Sequence, residues 1–254
     1  MRLIRMAAHI TIIVAMFVGC TTHVNNNAEA QSHRDDIDSL LKSLLQVDTK
    51  EGNRTVTEAP GIQTQQDVHD SLLRIANQTP ESRSEVVEAL LQVLEDPQAR
   101  EESPVAYRWT IAVDVLGELK AIEAIDILIK NLDRTGQPGV CISLSYHPVA
   151  RALAKIGEPA IPQLIGVLSS SSDEDIRHQA EVAIVNVGEP AIPKMQEVLY
   201  QGDARTRGRA ALVLAWIGGK DAGTLIKDAI AREKDPEVLE KLKDALRELH
   251  SRWG

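Results

Sequence analysis

Gly157-Glu158-Pro159-Ala160-Ile161-Pro162 recurs unchanged as Gly188-Glu189-Pro190-Ala191-Ile192-Pro193, an offset of 31 residues. Gly218 follows Gly188 by 30 residues and Gly117 precedes Gly157 by 40. Aligned on these glycines, the chain has Trp109, Val149, Ala180 and Ala210 eight residues before, and Ala112, Ala152, Ala183 and Val213 five before. Val113, Leu153, Ile184 and Leu214 lie four before, and Leu116, Ile156, Val187 and Ile217 one before. Offsets of −8, −5, −4 and −1 form one stripe of a helix with 3.6 residues per turn. Each glycine is expected to end its helix, where a left-handed backbone is often needed. Pro159 and Pro190 then suit the first turn of the next helix, because the N–H they lack would be unpaired there. That second helix carries Ile161, Leu164, Ile165 and Leu168 in one unit and Ile192, Met195, Val198 and Leu199 in the next.

The unit is therefore helix, tight turn, helix, and it extends both ways. Asp203 to Ile217 pairs with Asp221 to Arg232, and Pro236 opens a closing helix with Val238, Leu239, Leu242, Leu246 and Leu249 on one face. Its other face is charged, as a terminal cap requires. Upstream, Val105 to Leu119 pairs with Ile122 to Leu132, and Thr64 to Asn77 pairs with the helix that Thr79-Pro80 begins. Asp35 to Val47 reads as one more amphipathic helix and Asp48 to Gln63 as a loop. No segment alternates convincingly at period two, so essentially no sheet is expected. The fold class is all-α: an α-solenoid of about five antiparallel helix pairs plus an N-terminal amphipathic helix.

The A-x-x-x-I-G-E-P-A-I-P-x-L core of residues 152–164, and its copy at residues 183–195, resemble the HEAT repeat, in particular the short bacterial form also found in phycobilisome lyases. The resemblance covers residues 104–254, with more divergent helices in 35–103. It implies a superhelical stack and is nearly silent on function.

The N-terminus reads as an address. Arg2 and Arg5 precede an apolar run, Met6 to Val18, too short to span a bilayer, which needs ~20 residues. The run ends Phe17-Val18-Gly19-Cys20, which resembles the lipobox of bacterial lipoproteins, with Phe17 where Leu is commoner. That resemblance implies removal of residues 1–19 and lipidation of Cys20, and Thr21 after the cysteine would suit the outer membrane of a double-membraned cell. Residues 20–34 have almost no apolar side chains and read as a disordered tether.

The chain has 28 Lys+Arg against 37 Asp+Glu, a net charge of −9. Loss of Arg2 and Arg5 with the leader would take it to −11. That balance argues against a general nucleic-acid binder, whose affinity rests on Lys and Arg neutralising phosphates. It also leaves anchoring to the lipid, since an acidic body is not drawn to an anionic surface. Two cysteines exclude a disulfide scaffold and a four-cysteine zinc site. The sequence contains no phosphate-binding loop, dinucleotide fingerprint, H-E-x-x-H or G-x-S-x-G. No catalytic residue, cofactor or metal site is expected.

Two regions are candidate contacts. The stretch Asp133 to His147 breaks the repeat, and insertions in solenoids often map to the binding face. It reads either as a ligand or partner contact through Cys141, Tyr146 and His147, or as a longer connector with His147 capping the helix begun by Pro148. The second helices are expected to line the concave side, where Gln163, Lys194 and Thr224 share one register position and Gly166, Glu197 and Lys227 another. Asp173-Glu174-Asp175 reads as a helix cap, and Arg205, Arg207 and Arg209 as a basic face paired with nearby acids.

The function expected is a non-catalytic, membrane-anchored, extracytoplasmic scaffold for an unknown protein partner, held to a bacterial envelope membrane through Cys20. The alternative is an enzyme or enzyme accessory of the bilin-lyase type, which the secretion signal opposes because those proteins act in the cytosol. A DNA-lesion binder is opposed by charge and signal alike.

Overall fold

The computed structural model describes residues 33–43, 47–51, 54–58, 62–96, 105–134, 147–219 and 221–253. The leader, Cys20, Cys141 and Tyr146 lie outside them. Residues 33–43 form α1, so helix begins inside the stretch expected to be tether. Ile37 and Leu41 are its buried side chains, and it lies against α3 (Pro80–Glu95).

The pairs then follow in order. They are α2 (Ile62–Ala76) with α3, α4 (Val105–Glu118) with α5 (Ile125–Lys130), and α6 (Pro148–Ile156) with α7 (Ile161–Ser170). Next come α8 (Glu174–Val187) with α9 (Ile192–Gln201), α10 (Ala204–Ile217) with α11 (Ala222–Arg232), and the cap α12 (Pro236–Trp253). The all-α solenoid stands as read, but α7 packs on α8, α9 on α10 and α11 on α12 across the longer connections more closely than α6 on α7 or α8 on α9 across the Gly-Glu-Pro turns. The apolar stripe is the core: Val149, Ala152, Leu153, Ala180, Ala183, Ile184, Ala210, Val213 and Leu214 are all buried. Ile161, Leu164 and Leu168 meet them from α7, as Met195 and Leu199 do from α9. Small side chains in the stripe let neighbouring helices stack closely, which explains an apolar content of 43% with only 3% aromatic residues.

The turns work as the repeat implies. Gly157, Gly188 and Gly218 end α6, α8 and α10 with φ of 87°, 79° and 76° and ψ near −140°. Each N–H returns to the carbonyl four residues back. After Gly157 and Gly188 a single 3-10 turn, Glu158–Ala160 or Glu189–Ala191, leads straight into the second helix. That backbone region is almost closed to residues with a Cβ. Gly188→Ala is therefore expected to cost about 1–2 kcal/mol. A Cβ there meets nothing within 4 Å, so the loss reports backbone strain alone. Urea denaturation measures it, and an unchanged midpoint would refute the strain.

Two expectations are corrected. Gly117 does not end a helix: α4 runs through it to Glu118, and the positive φ falls on Lys120, at 49°. The true match to Ala160-Ile161 and Ala191-Ile192 is Ala124-Ile125, after the 3-10 turn Ile122–Ala124. The interval from Ala124 to Ala160 is then 36 residues, not 40. Glycine was a poor register mark here because Gly117 serves packing instead. A Cβ on it would lie 2.8 Å from the Ala152 Cα, so its absence lets α4 and α6 touch. The expected loop after Asp48 contains an antiparallel hairpin, β1 (Val47–Glu51) with β2 (Arg54–Glu58), in register Val47 to Glu58 and Glu51 to Arg54. Its β-branched Thr49, Thr55, Val56 and Thr57 favour strand, and the Gly52-Asn53 dipeptide between the strands is a type favoured in two-residue connections.

Candidate functional site

The first helices of the pairs form a continuous row: α2 packs on α4, α4 on α6, α6 on α8, α8 on α10 and α10 on α12. Contacts among second helices are sparse. In a curved stack the closer-spaced row is the inner one, so the first helices line the concave side. The expectation that the second helices do so is reversed. It came from counting each unit as beginning with the helix before the Gly-Glu-Pro turn, a choice that sequence periodicity leaves free.

Gln163, Lys194, Glu197, Thr224 and Lys227 are consequently exposed on the other face. Gln163 donates to the Asp126 carboxylate of α5 at 2.6 Å, and Lys194 pairs with Glu197 at 2.8 Å. Thr224 and Lys227 lie on α11. Of the three candidate contacts in the loop, Cys141, Tyr146 and His147, only His147 is described. It occupies the N-cap position of α6, but its side chain caps nothing. Its Nε2 lies 3.1 Å from Gln179 Nε2 of α8, and burial, then His178, pushes its pKa down. Asp173 does cap α8, accepting from the N–H of Asp175 and Ile176.

Polar side chains bridge every step of the inner row. His69 of α2 brings Nε2 within 3.3 Å of Asp114 of α4. Asp114 in turn accepts from Arg151 at 2.8 Å and Lys155 at 2.9 Å, both on α6. His147 and Gln179 join α6 to α8; Arg209 of α10 pairs with Glu174 and, at 2.6 Å, Glu181 of α8. Trp216 Nε1 donates to Glu248 of α12 at 3.3 Å. Burial pushes the Asp114 carboxyl up, but His69, Lys155 and Arg151 outweigh it and hold it below its ordinary 3.8. Asp114, with Asp70 at the other ring nitrogen, holds the His69 imidazolium above 6.5 against the effect of burial. Arg209 and Arg177 hold the Glu174 carboxyl down at about 2.

Sequence reasoning missed this face. Its signal was present: Arg151, Val182 and Leu212 share the position six before the glycine, and Lys155, Asn186 and Trp216 the position two before it. These positions flank the buried stripe, and only the packing shows that they face inward.

Two cavities open on the inner row. One, of 430 Å³, lies between α6 and α8, with Arg151, Lys155, Val182 and Asn186 in its wall. The larger, of 570 Å³, lies among α8, α10 and α12. Trp216 stands in its wall, edge-on to His178 at 6.2 Å between ring centroids, with the Arg252 guanidinium 5.7 Å from its ring. Among the described residues no three His, Cys, Asp or Glu side chains gather to hold a metal, and no helix is long and apolar enough to cross a membrane. The arrangement offers shape, charge and hydrogen-bonding groups on a rigid row.

Two family models agree with this architecture. A family model described as HEAT repeats matches residues 161–247, and one described as the PBS lyase HEAT-like repeat matches residues 111–134. No curated protein matches the chain. Two crystal structures titled as engineered proteins, from the Northeast Structural Genomics Consortium, align with it. The first is 20% identical over 85% of this chain and 97% of its own, with a TM-score of 0.32. The second is 19% identical over 85% and 68%, with a TM-score of 0.27.

Proposed function

Because this chain is a HEAT-repeat protein, we propose that it is a non-catalytic scaffold that receives a protein partner along its first-helix row. It is carried on a bacterial envelope membrane by lipid on Cys20 and faces away from the cytoplasm. The observation that carries the binding face is that cavities of 570 and 430 Å³ open on the inner row, against 290 Å³ for the one between α9 and α11, and that each helix of that row is tied to the next by side chains. A surface so braced loses little conformational freedom when a partner docks, which favours affinity. Trp and Arg anchors are the residue types that dominate such contacts, and the half-buried Trp216 and the exposed Arg205 supply them here.

A photo-crosslinking residue placed at Asn186, on the inner row, is expected to give a discrete adduct in the native cell. The same residue at Lys227, on the outer row, is expected to give none. An adduct from Lys227 alone would return the site to the second helices. For the anchor, the native chain is expected to enter the detergent phase on partitioning and to take up a palmitate analogue, and Cys20→Ala to do neither. Equal partitioning of the two would refute lipidation.

A further inference from the structure

We infer that the cavity among α8, α10 and α12 is a seat for a peptide segment of the partner in which an acidic side chain adjoins a large apolar one. This rests on the inner row being the partner-binding face and adds the chemistry that one part of it selects.

The argument begins with the α10 stripe that faces the cavity. Arg205, Arg209, Leu212 and Trp216 follow one another at helical spacing, so the wall is cationic at its N-terminal end and apolar at the other. Arg209 is already spent: Glu174 and Glu181 neutralise it. Arg177 is likewise held by Glu174 and the Ser171 carbonyl. Arg205 is different. It is exposed, and it feels Asp203 without forming an ion pair among the described residues. Beside it, Gly208 has no side chain, and the aliphatic stem of Lys241 crosses there; a Cβ on Gly208 would come within 2.9 Å of the Lys241 Cδ. The Lys241 ammonium reaches out to Glu237 at 2.8 Å in a pair exposed on both sides. Such a pair contributes little, so a carboxylate arriving from a partner can displace Glu237.

Charge complementarity chooses the occupant. The cavity wall holds four cations (Arg177, Arg205, Arg209, Lys241) against three carboxylates (Glu174, Glu181, Asp244). It is a locally positive place on a chain of net charge −9. Asp244 is also tied outward, to Arg247. The unspent positive charge therefore sits at the Arg205 and Lys241 end. The other end offers Leu212, Ala245 and the half-buried Trp216 ring, a surface for an aliphatic or aromatic side chain. A basic segment would meet uncompensated Arg205. A purely apolar one would bury Arg205 and Lys241 without partners, which is costly.

The test is selection of short random peptides, displayed on phage, against the immobilised full-length chain in detergent micelles. Binding of the enriched peptides is then measured by fluorescence anisotropy. Enriched sequences are expected to place Asp or Glu within a residue or two of Leu, Ile, Phe or Trp. Arg205→Glu is expected to weaken them by about tenfold or more, equivalent to roughly 1.4 kcal/mol. Lys227→Glu, on the outer row, is expected to leave them unchanged. Enriched peptides without acidic residues that still weaken in Trp216→Ala would overturn the acidic class while leaving the inner row as the binding face. Peptides indifferent to every substitution on α8, α10 and α12 but weakened by Lys227→Glu would overturn both. No enrichment at all also overturns the proposed seat.

Discussion

Replacing Asp114 with alanine is expected to lower the stability of the fold by about 3 kcal/mol, at the lower end of what loss of one member of a buried ion pair costs. The side chain of Asp114 is only 4% exposed, and it compensates three cationic groups on two neighbouring helices. Without it, His69 loses its Nε2 carboxylate partner and Arg151 its ion pair with Asp114, while Lys155 keeps Glu118. Arg151 and Lys155 are about a quarter exposed and can turn to water, which keeps the cost from rising further. Asp114→Asn keeps the shape without the charge and is expected to recover only part of the loss. Chemical denaturation of the three proteins gives the comparison. A change below about 0.5 kcal/mol for Asp114→Ala, the scatter of ordinary surface substitutions, would show that the hub adds nothing.

The same hub gives a pH dependence with a definite sign. His69 is raised above 6.5, so its contribution is complete below pH 6.5 and is lost as pH climbs through its folded value. Asp114 is depressed below 3.8, so its contribution is present above pH 3.8 and is lost as pH falls through its folded value. The His69–Asp114 pair therefore stabilises most between those two limits. Denaturation midpoints followed upward from pH 6.5 are expected to fall in the native chain and to stay flatter in His69→Gln. Parallel curves would show that His69 does not couple to folding.

Gly117→Ala is expected to destabilise by about 2 kcal/mol, the scale of overpacking in a tight core. Gly166→Ala is expected to stabilise by about 0.5–1 kcal/mol. Both glycines lie in helices, where alanine is intrinsically preferred. The difference is what the new methyl meets. At Gly117 it comes within 2.8 Å of the Ala152 Cα, and backbone cannot rotate aside as a side chain could. At Gly166 nothing lies within 4 Å. Two substitutions that are identical in sequence should therefore move the denaturation midpoint in opposite directions. Movement in the same direction would mean that α4 and α6 do not approach as closely as described.

Much of the fold was legible because its signals are local. The −8, −5, −4 and −1 stripe marks a helix by periodicity alone, and Gly157, Gly188 and Gly218 mark turns by a conformation that side chains resist. Gly117 misled for the same reason: one residue type serves a turn at Gly157 and close packing at Gly117, and only the neighbour tells which. The candidate site was less legible. Lys194 and Glu197 look like a ready surface because they are polar and recur in register, yet they pair with each other on the outer row. Asp114 and Glu181 are buried carboxylates, and their partners Arg151 and Arg209 lie 37 and 28 residues away. Nothing local connects them.

The amino-acid sequence by itself determined the repeat, the helix pairs, the apolar stripe and the acidic balance, since each depends on residues within one or two turns of the chain. Which row of helices turns inward was decided only by the tertiary structure. Curvature follows from how closely successive helices pack, and that distance is set by contacts such as Gly117 on Ala152, which join helices one repeat apart.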